Sequence, residues 1–477
     1  MNFYQKGFQS LDKEFDIVSL SIKGEVPKWL DGFFIRNGPA QFETEKNNFL
    51  HWFDGLGMLH KFNFENSKIS YKNRFIESRG YLAEKATGKI EYNEFATAPK
   101  QSLIKHLLTL FSNPKFSQNP NITIQNINNN LIALSETPEY VKINHKTLKT
   151  EGFLNFSKDI KSELELAHTI YDRKENMTYN VALKFGVKSS YLVYKIPKNT
   201  LEKILVSKIP VKKPAYMHSF CITEKYVILI EQPLRVNPLA LKLRRKPFIT
   251  NYKWKNYKAA VFIIIDKKTG SIIDRITTNS FLFFHIVNSF DKNDSIFIDM
   301  PVYNNNEIID AFYLNNLRSE NSTLIPTPIL NRYEINLETS AISYNKINSG
   351  IIELPTINKS YTSSKNYTYG YGVSVRKNQN DNFFNSLAKF NVKTGVSLYY
   401  NKEHCYYQEP MFVPNPNQKH EDDGVVMCIE LNGIKSKSYI ILLDASGFKE
   451  IARAELPGII PFGFHGNWFN RDEFTSS

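Results

Sequence analysis

Four histidines carry the chemistry to be expected of this sequence. His168, His218, His285 and His465 each sit in an apolar setting: Leu164-Glu165-Leu166-Ala167-His168, Tyr216-Met217-His218-Ser219-Phe220, Phe283-Phe284-His285-Ile286-Val287 and Ile459-Ile460-Pro461-Phe462-Gly463-Phe464-His465-Gly466. One such histidine alone is more often a satisfied core residue than a ligand. The spacing raises all four above that. They follow turn-like segments at Asn144, Pro197, Asp266 and Asp444 by 19 to 24 residues. Glu353 and Glu409 follow the corresponding turns at Asn336 and Asn391 by 17 and 18 residues, and Glu136 occupies the remaining interval, after a long insertion.

Four neutral imidazoles brought to one point make a metal site. With no thiolate available and no carboxylate required among the ligands, the set suits Fe(II) better than zinc or magnesium. Octahedral iron held by four histidines keeps two positions for dioxygen, water or substrate. The three glutamates would accept the second ring N–H of three histidines, fixing tautomer and orientation.

The elements that must position these residues are mostly strands. Segments 17–22, 226–231, 261–265, 295–300 and 439–443 are short, rich in Ile, Val, Phe and Tyr, and bounded by Asn, Lys, Asp and Gly. Helical candidates are few: 102–111 and 310–318. A hairpin signature recurs seven times, near Asn63, Asn144, Pro197, Asp266, Asn336, Asn391 and Asp444, at intervals of 53 to 81 residues. Asn and Asp suit these turns because their side chains bond the local backbone. Such turns occur in any β protein, but a repeat of about four strands reads as a propeller blade. The fold expected is all-β, a seven-bladed propeller. After each outer hairpin the chain returns to the next blade's innermost strand, so the histidines project toward the axis. On this reading His465 is delivered by the seventh blade, and Gly466 lets the chain pass close to the metal.

Composition bounds the partners. The net charge is +13, from 60 basic and 47 acidic residues. The lysines are spread out and no zinc-finger or RNP-type pattern occurs, so no nucleic acid is expected. The aromatic share of 14% suits strands and also a tunnel for an apolar ligand. Cys221, Cys405 and Cys428 offer no disulfide framework, which points to a reducing, cytoplasmic setting. No run reaches the roughly 18 apolar residues of a membrane span.

The motifs resemble those of the carotenoid cleavage oxygenase family, and most closely its metazoan-type subgroup. The resemblance covers nearly the whole chain. It rests on Val26-Pro27-Lys28-Trp29-Leu30-Asp31-Gly32, Arg36-Asn37-Gly38-Pro39, Phe53-Asp54-Gly55-Leu56-Gly57-Met58-Leu59-His60, Glu421-Asp422-Asp423-Gly424 and Phe464-His465-Gly466. It implies one propeller domain over 1–477, with a helical and loop dome built from insertions near 77–120 and 232–258. It implies a non-haem Fe(II) held by His168, His218, His285 and His465, with Glu136, Glu353 and Glu409 facing His218, His285 and His465 in that order. His51, His60, His145, His404 and His420 are assigned no metal role. Two departures stand out. The family's animal members carry a cysteine-containing motif where this chain reads Ala96-Thr97-Ala98-Pro99-Lys100-Gln101-Ser102, so acyl anchoring there has no cysteine to use. Ser135 stands near the open iron positions, where family members commonly have threonine.

The implied reaction is oxidative cleavage of a polyene double bond with O₂, most simply β-carotene to retinal, with no acid–base residue required beyond the metal centre. Apocarotenoid and stilbene cleavage are the alternatives. Retinyl-ester isomerohydrolysis is a more specialised one. A propeller that binds a carotenoid or retinoid without chemistry is the alternative of another class. Segments 102–111 and 238–254 mix apolar and basic residues, as a lipid-facing tunnel mouth does. Leu107, Leu108, Leu110, Phe111, Phe248 and Trp254 are the expected contacts of a peripherally attached protein.

Overall fold

Each predicted turn joins the two outer strands of a four-stranded antiparallel unit. The computed structural model describes residues 2–99, 118–186, 188–243, 246–320, 324–347, 350–376 and 383–474. Five of the turns close in the same way. The side-chain oxygen of Asn144, Asp266, Asn336, Asn391 or Asp444 accepts the backbone N–H of the residue three positions on, at 2.6 to 3.1 Å. This local bond lets the chain reverse without help from distant residues. At the turn after Pro197, Asn199 takes a left-handed φ of 70° instead.

Seven such sheets form a seven-bladed propeller. The central blades run simply, as in Asn288–Lys292, Ser295–Val302, Ile329–Asn336 and Ala341–Lys346, each strand pairing with the next. The first blade takes its innermost strand, Gly466–Phe469, from the far end of the chain. That strand pairs with Gly32–Gln41, Phe34 opposite Trp468. The segment expected as one strand over 17–22 is two. Asp16–Ile17 adds to the outer edge of the first blade, and Ile22–Gly24 to the outer edge of the last. The apolar run spans the seam between two sheets, so its backbone must leave one ladder before entering the other. His465 accordingly heads the innermost strand of the first blade, rather than belonging to the seventh.

Helices and irregular segments cover one face. Arg79–Thr87 is a helix, not anticipated, with Ser78 accepting from the Tyr81 N–H at 3.1 Å and Gly88 closing its C-terminus at φ 68°. Leu234–Val236 and Tyr252–Trp254 form a two-stranded ribbon flanking the helix Pro238–Leu243. The helix expected over 310–318 is two short ones, Glu307–Ala311 and Leu314–Leu317. Tyr313 between them is extended and bridges His51, while the Leu314 N–H bonds to Leu50 O at 2.8 Å. That pairing breaks the helix. The segment 102–111 lies outside the described residues. No helix among the described residues is long and apolar enough to cross a membrane.

Candidate metal centre

The inner ends of the blades bring the four histidines together. His168 lies between the inner strands Leu164–Glu165 and Ile170–Asp172; His218 and His285 precede Cys221–Ile222 and Asn288–Lys292; His465 precedes Gly466–Phe469. One ring nitrogen from each lies within 4.8 Å of the others, and they form the only such group among the described residues. Nε2 of His168 is 3.1 Å from Nε2 of His218, and Nε2 of His285 is 3.1 Å from Nε2 of His465. His218 and His465 are buried, the other two partly so.

Three carboxylates set the tautomers. Nδ1 of His218, His285 and His465 each donates at 2.7 Å, to Glu136 Oε1, Glu353 Oε2 and Glu409 Oε1. No carboxylate pairs with His168 among the described residues. Glu353 starts the inner strand Glu353–Thr356, and Glu409 sits between the inner strands Cys405–Tyr407 and Met411–Pro414. Glu136 differs, coming from the loop after Asn130–Leu134, its blade's second strand.

Each carboxylate has a further donor that sequence reasoning did not name. Tyr216 donates its hydroxyl to Glu136 Oε1 at 3.0 Å, and Tyr303 to Glu353 Oε1 at 3.0 Å. Arg36, fully buried, donates to Glu409 Oε2 at 3.0 Å, and the Gly466 N–H donates to the same oxygen at 3.0 Å. Tyr216 could have been found, since it lies two residues before His218 and an extended segment puts both on one face. Arg36 stands in a recognised motif without an evident role. Tyr303 gave no signal. Leu354, which donates its N–H to Glu353 Oε2 at 2.6 Å, has φ 46°, a strained value for a bulky residue, so the backbone is held off its preference to aim that bond.

The electrostatics favour neutral rings. Burial, and then the neighbouring imidazoles, hold His168 and His465 well below the ordinary histidine range. Burial works to raise Glu353, yet His285, the Leu354 N–H and Tyr303 bring it below the ordinary carboxylate value. Glu409 goes the other way, because burial outweighs Arg36 and the Gly466 N–H.

This donor set fits a metal cation. His285 and His465 both spend their Nδ1 protons on glutamates, so both Nε2 atoms carry lone pairs. Two lone pairs facing at 3.1 Å repel unless a cation lies between them. Neutral imidazoles without thiolates suit iron, as the sequence implies.

Two cavities meet at the histidines. On the dome side a narrow one of about 140 Å³ is lined by Trp52, Phe53, Phe95, Phe284, Phe312 and Phe464, together with Ser135, Glu136 and three of the histidines. The Ser135 hydroxyl lies 3.1 Å from that of Thr137. Phe248 lines the same cavity, and Trp254 is half-buried on the two-stranded ribbon. Leu107, Leu108, Leu110 and Phe111 lie outside the described residues. The other histidines are elsewhere. His51 bonds Ile309 O, His60 bonds the Tyr71 hydroxyl, His145 stacks on Phe33 and Phe474, His404 meets Glu403, and His420 is exposed. Gly466 is needed for a neighbouring strand rather than for the metal. A Cβ there would lie 2.6 Å from the Phe34 ring and 2.7 Å from Ile35 O.

Comparison with known proteins places this geometry. Residues 8–470 match the family model described as Retinal pigment epithelial membrane protein. The chicken protein named beta,beta-carotene 15,15'-dioxygenase is 27% identical, with 96% of each chain covered. Carotenoid cleavage dioxygenase 8, chloroplastic, of Arabidopsis thaliana is 30% identical over 95% of this chain and 84% of its own. The crystal structure of cobalt-substituted apocarotenoid oxygenase from Synechocystis superposes with a TM-score of 0.88 at 23% identity, covering 98% of both chains, a likeness of fold. Matched over nearly its whole length, the chain belongs to the carotenoid oxygenase family of retinal pigment epithelial membrane protein type.

Proposed function

We propose that this protein is a non-haem Fe(II) dioxygenase that cleaves a double bond of a carotenoid with O₂ to give two carbonyl products. The observation that carries the reading is the pair of lone-pair nitrogens of His285 and His465, 3.1 Å apart, opening onto an aromatic cavity. His168, His218, His285 and His465 would hold the iron, whose chemistry is the activation of dioxygen beside the alkene. Glu136, Glu353 and Glu409 keep a proton on Nδ1 of their histidines, leaving each Nε2 free as a donor. The rings of Trp52, Phe53, Phe284 and Phe464 exclude water and leave a slot suited to a thin, extended molecule. The slot fixes which bond lies over the histidines, and Ser135 with Thr137 borders it.

The curated relatives' names support a carotenoid substrate, and β-carotene giving retinal is the finer reading. Phe248 on the cavity wall and the basic, apolar segment 238–254 support entry of a lipophilic substrate from a membrane surface. The test is incubation of the iron-loaded protein with β-carotene, apocarotenals and stilbenes under O₂, with carbonyl products identified by mass. Retinal from β-carotene is the expected result. A protein that takes up no iron anaerobically, or cleaves none of these, overturns the reading in favour of a binding propeller.

A further inference from the structure

The histidines also face a second, polar chamber of about 790 Å³ along the propeller axis, on the side away from the dome. His168, His285, His465 and Glu409 line its inner end, and it reaches the surface at exposed Asn470 and Lys198. Lys359 and Arg173 also line it, both exposed. Neither makes a hydrogen bond or ion pair with a described residue. The Lys359 charge acts on His168, His465 and Glu409, and Arg173 acts in turn on Lys359. The dome-side cavity is walled mainly by aromatic rings, with Glu94, Asn119 and Asn121 among its few polar groups, so a hydrated divalent cation crossing it sheds water against largely apolar walls, a large cost. The polar chamber imposes no such cost; Asp472 and Glu473 also line it, and Lys359 and Arg173 set two cations on the same path.

We propose that the axial chamber is the route by which the metal ion reaches the four histidines, and that Lys359, backed by Arg173, is an electrostatic gate on that route. The proposal rests on the metal reading above and concerns exchange, not cleavage. A like charge on the path slows entry of a dication, while the same charge leaves an uncharged organic substrate arriving from the dome side unaffected.

The test follows metal uptake by metal-free protein. Anaerobic Fe(II) is added and bound metal is counted against time after rapid desalting. Lys359→Met should load about tenfold faster than wild type, Lys359→Glu faster still, and Arg173→Met faster by a smaller factor, with the differences shrinking as salt rises. Lys359→Arg should load at the wild-type rate. Phe248→Ala, which widens the dome-side slot, should leave uptake unchanged. Matched melting of the metal-free variants excludes misfolding, and Arg173→Met, at an exposed residue, stands in should Lys359→Met fold poorly. Uptake unchanged in the lysine variants, uptake accelerated by Phe248→Ala, or an effect confined to metal release would overturn the route. Wild type that takes up no iron at all would instead sink the metal reading itself.

Discussion

The three carboxylate–histidine pairs make separable demands. Replacing His285 by Ala removes one donor and opens a small gap in a region whose fold rests on blade pairing. The expected result is a protein with wild-type circular dichroism and no retained iron by elemental analysis. Glu353→Gln keeps shape and burial but can present its N–H₂ to Nδ1, which would then have to accept and shift the proton to Nε2. Metal affinity should fall about 10- to 100-fold, measured by competition with a chelator, with little change in melting temperature. The histidines were legible in the sequence because an inner strand repeats at each blade and carries its polar residue at a repeating offset. Glu136 broke the pattern, as it comes from a loop, and only its interval pointed to it. Tyr216, Tyr303 and Arg36 were not legible as site residues. Their roles depend on which blades become neighbours, and Arg36 reaches Glu409 across 373 positions of sequence.

Elements explain which parts of the fold the sequence could show. Strands 226–231 and 295–300 were readable because their Ile, Val, Phe and Tyr content and the turn residues that bound them act locally. The divided segment 16–24 was not, because its break is imposed by two sheets it joins. The same level controls the response to acid. His51 caps the short helix Trp52–Asp54, and His60 lies within the strand Leu56–Glu65; burial lowers both from 6.5 to about 3. Between these values the unfolded chain takes up protons that the folded chain does not. Their contribution is therefore complete above pH 6.5 and is lost as pH falls toward 3, at about 1.4 kcal/mol per unit for each histidine. Asp54 opposes this. Burial raises it from 3.8 to about 6, so its contribution is present below 3.8 and is lost as pH rises through 6. Across pH 4 to 6 Asp54 offsets one of these two histidines, leaving the three groups a net loss of about 1.4 kcal/mol per unit on acidification, to which buried His168 and His465 add in the metal-free protein. Urea denaturation of metal-free protein at several pH values should show stability falling on acidification through this range, and His60→Gln should reduce the slope by about 1.4 kcal/mol per unit. A slope unchanged by the substitution would count against the assignment.

At the scale of the molecule, the four histidines come from the first, third, fourth and fifth blades, and two of the glutamates from the sixth and seventh. A bound metal would therefore tie most of the ring to one point. Metal that binds only the folded ring stabilises it by mass action, by about 4 kcal/mol at a free concentration a thousandfold above Kd. Stripping iron should lower the melting temperature by several degrees, and adding Fe(II) back should restore it. His285→Ala should show neither change.

The pairing of Gly466–Phe469 with Gly32–Gln41 also sets a timetable for synthesis. A ribosome delivers Gly32–Gln41 early but the innermost strand that pairs with it more than 400 residues later. Until then Gly32–Gln41 has a bare edge, the kind of edge that recruits stray strands. Such a nascent chain needs shielding while the middle blades form, and His465 is the last of the four donors to emerge. On the proposed iron reading, the complete donor set exists only after translation has passed that residue, so metal loading would belong to the finished ring rather than to the growing chain.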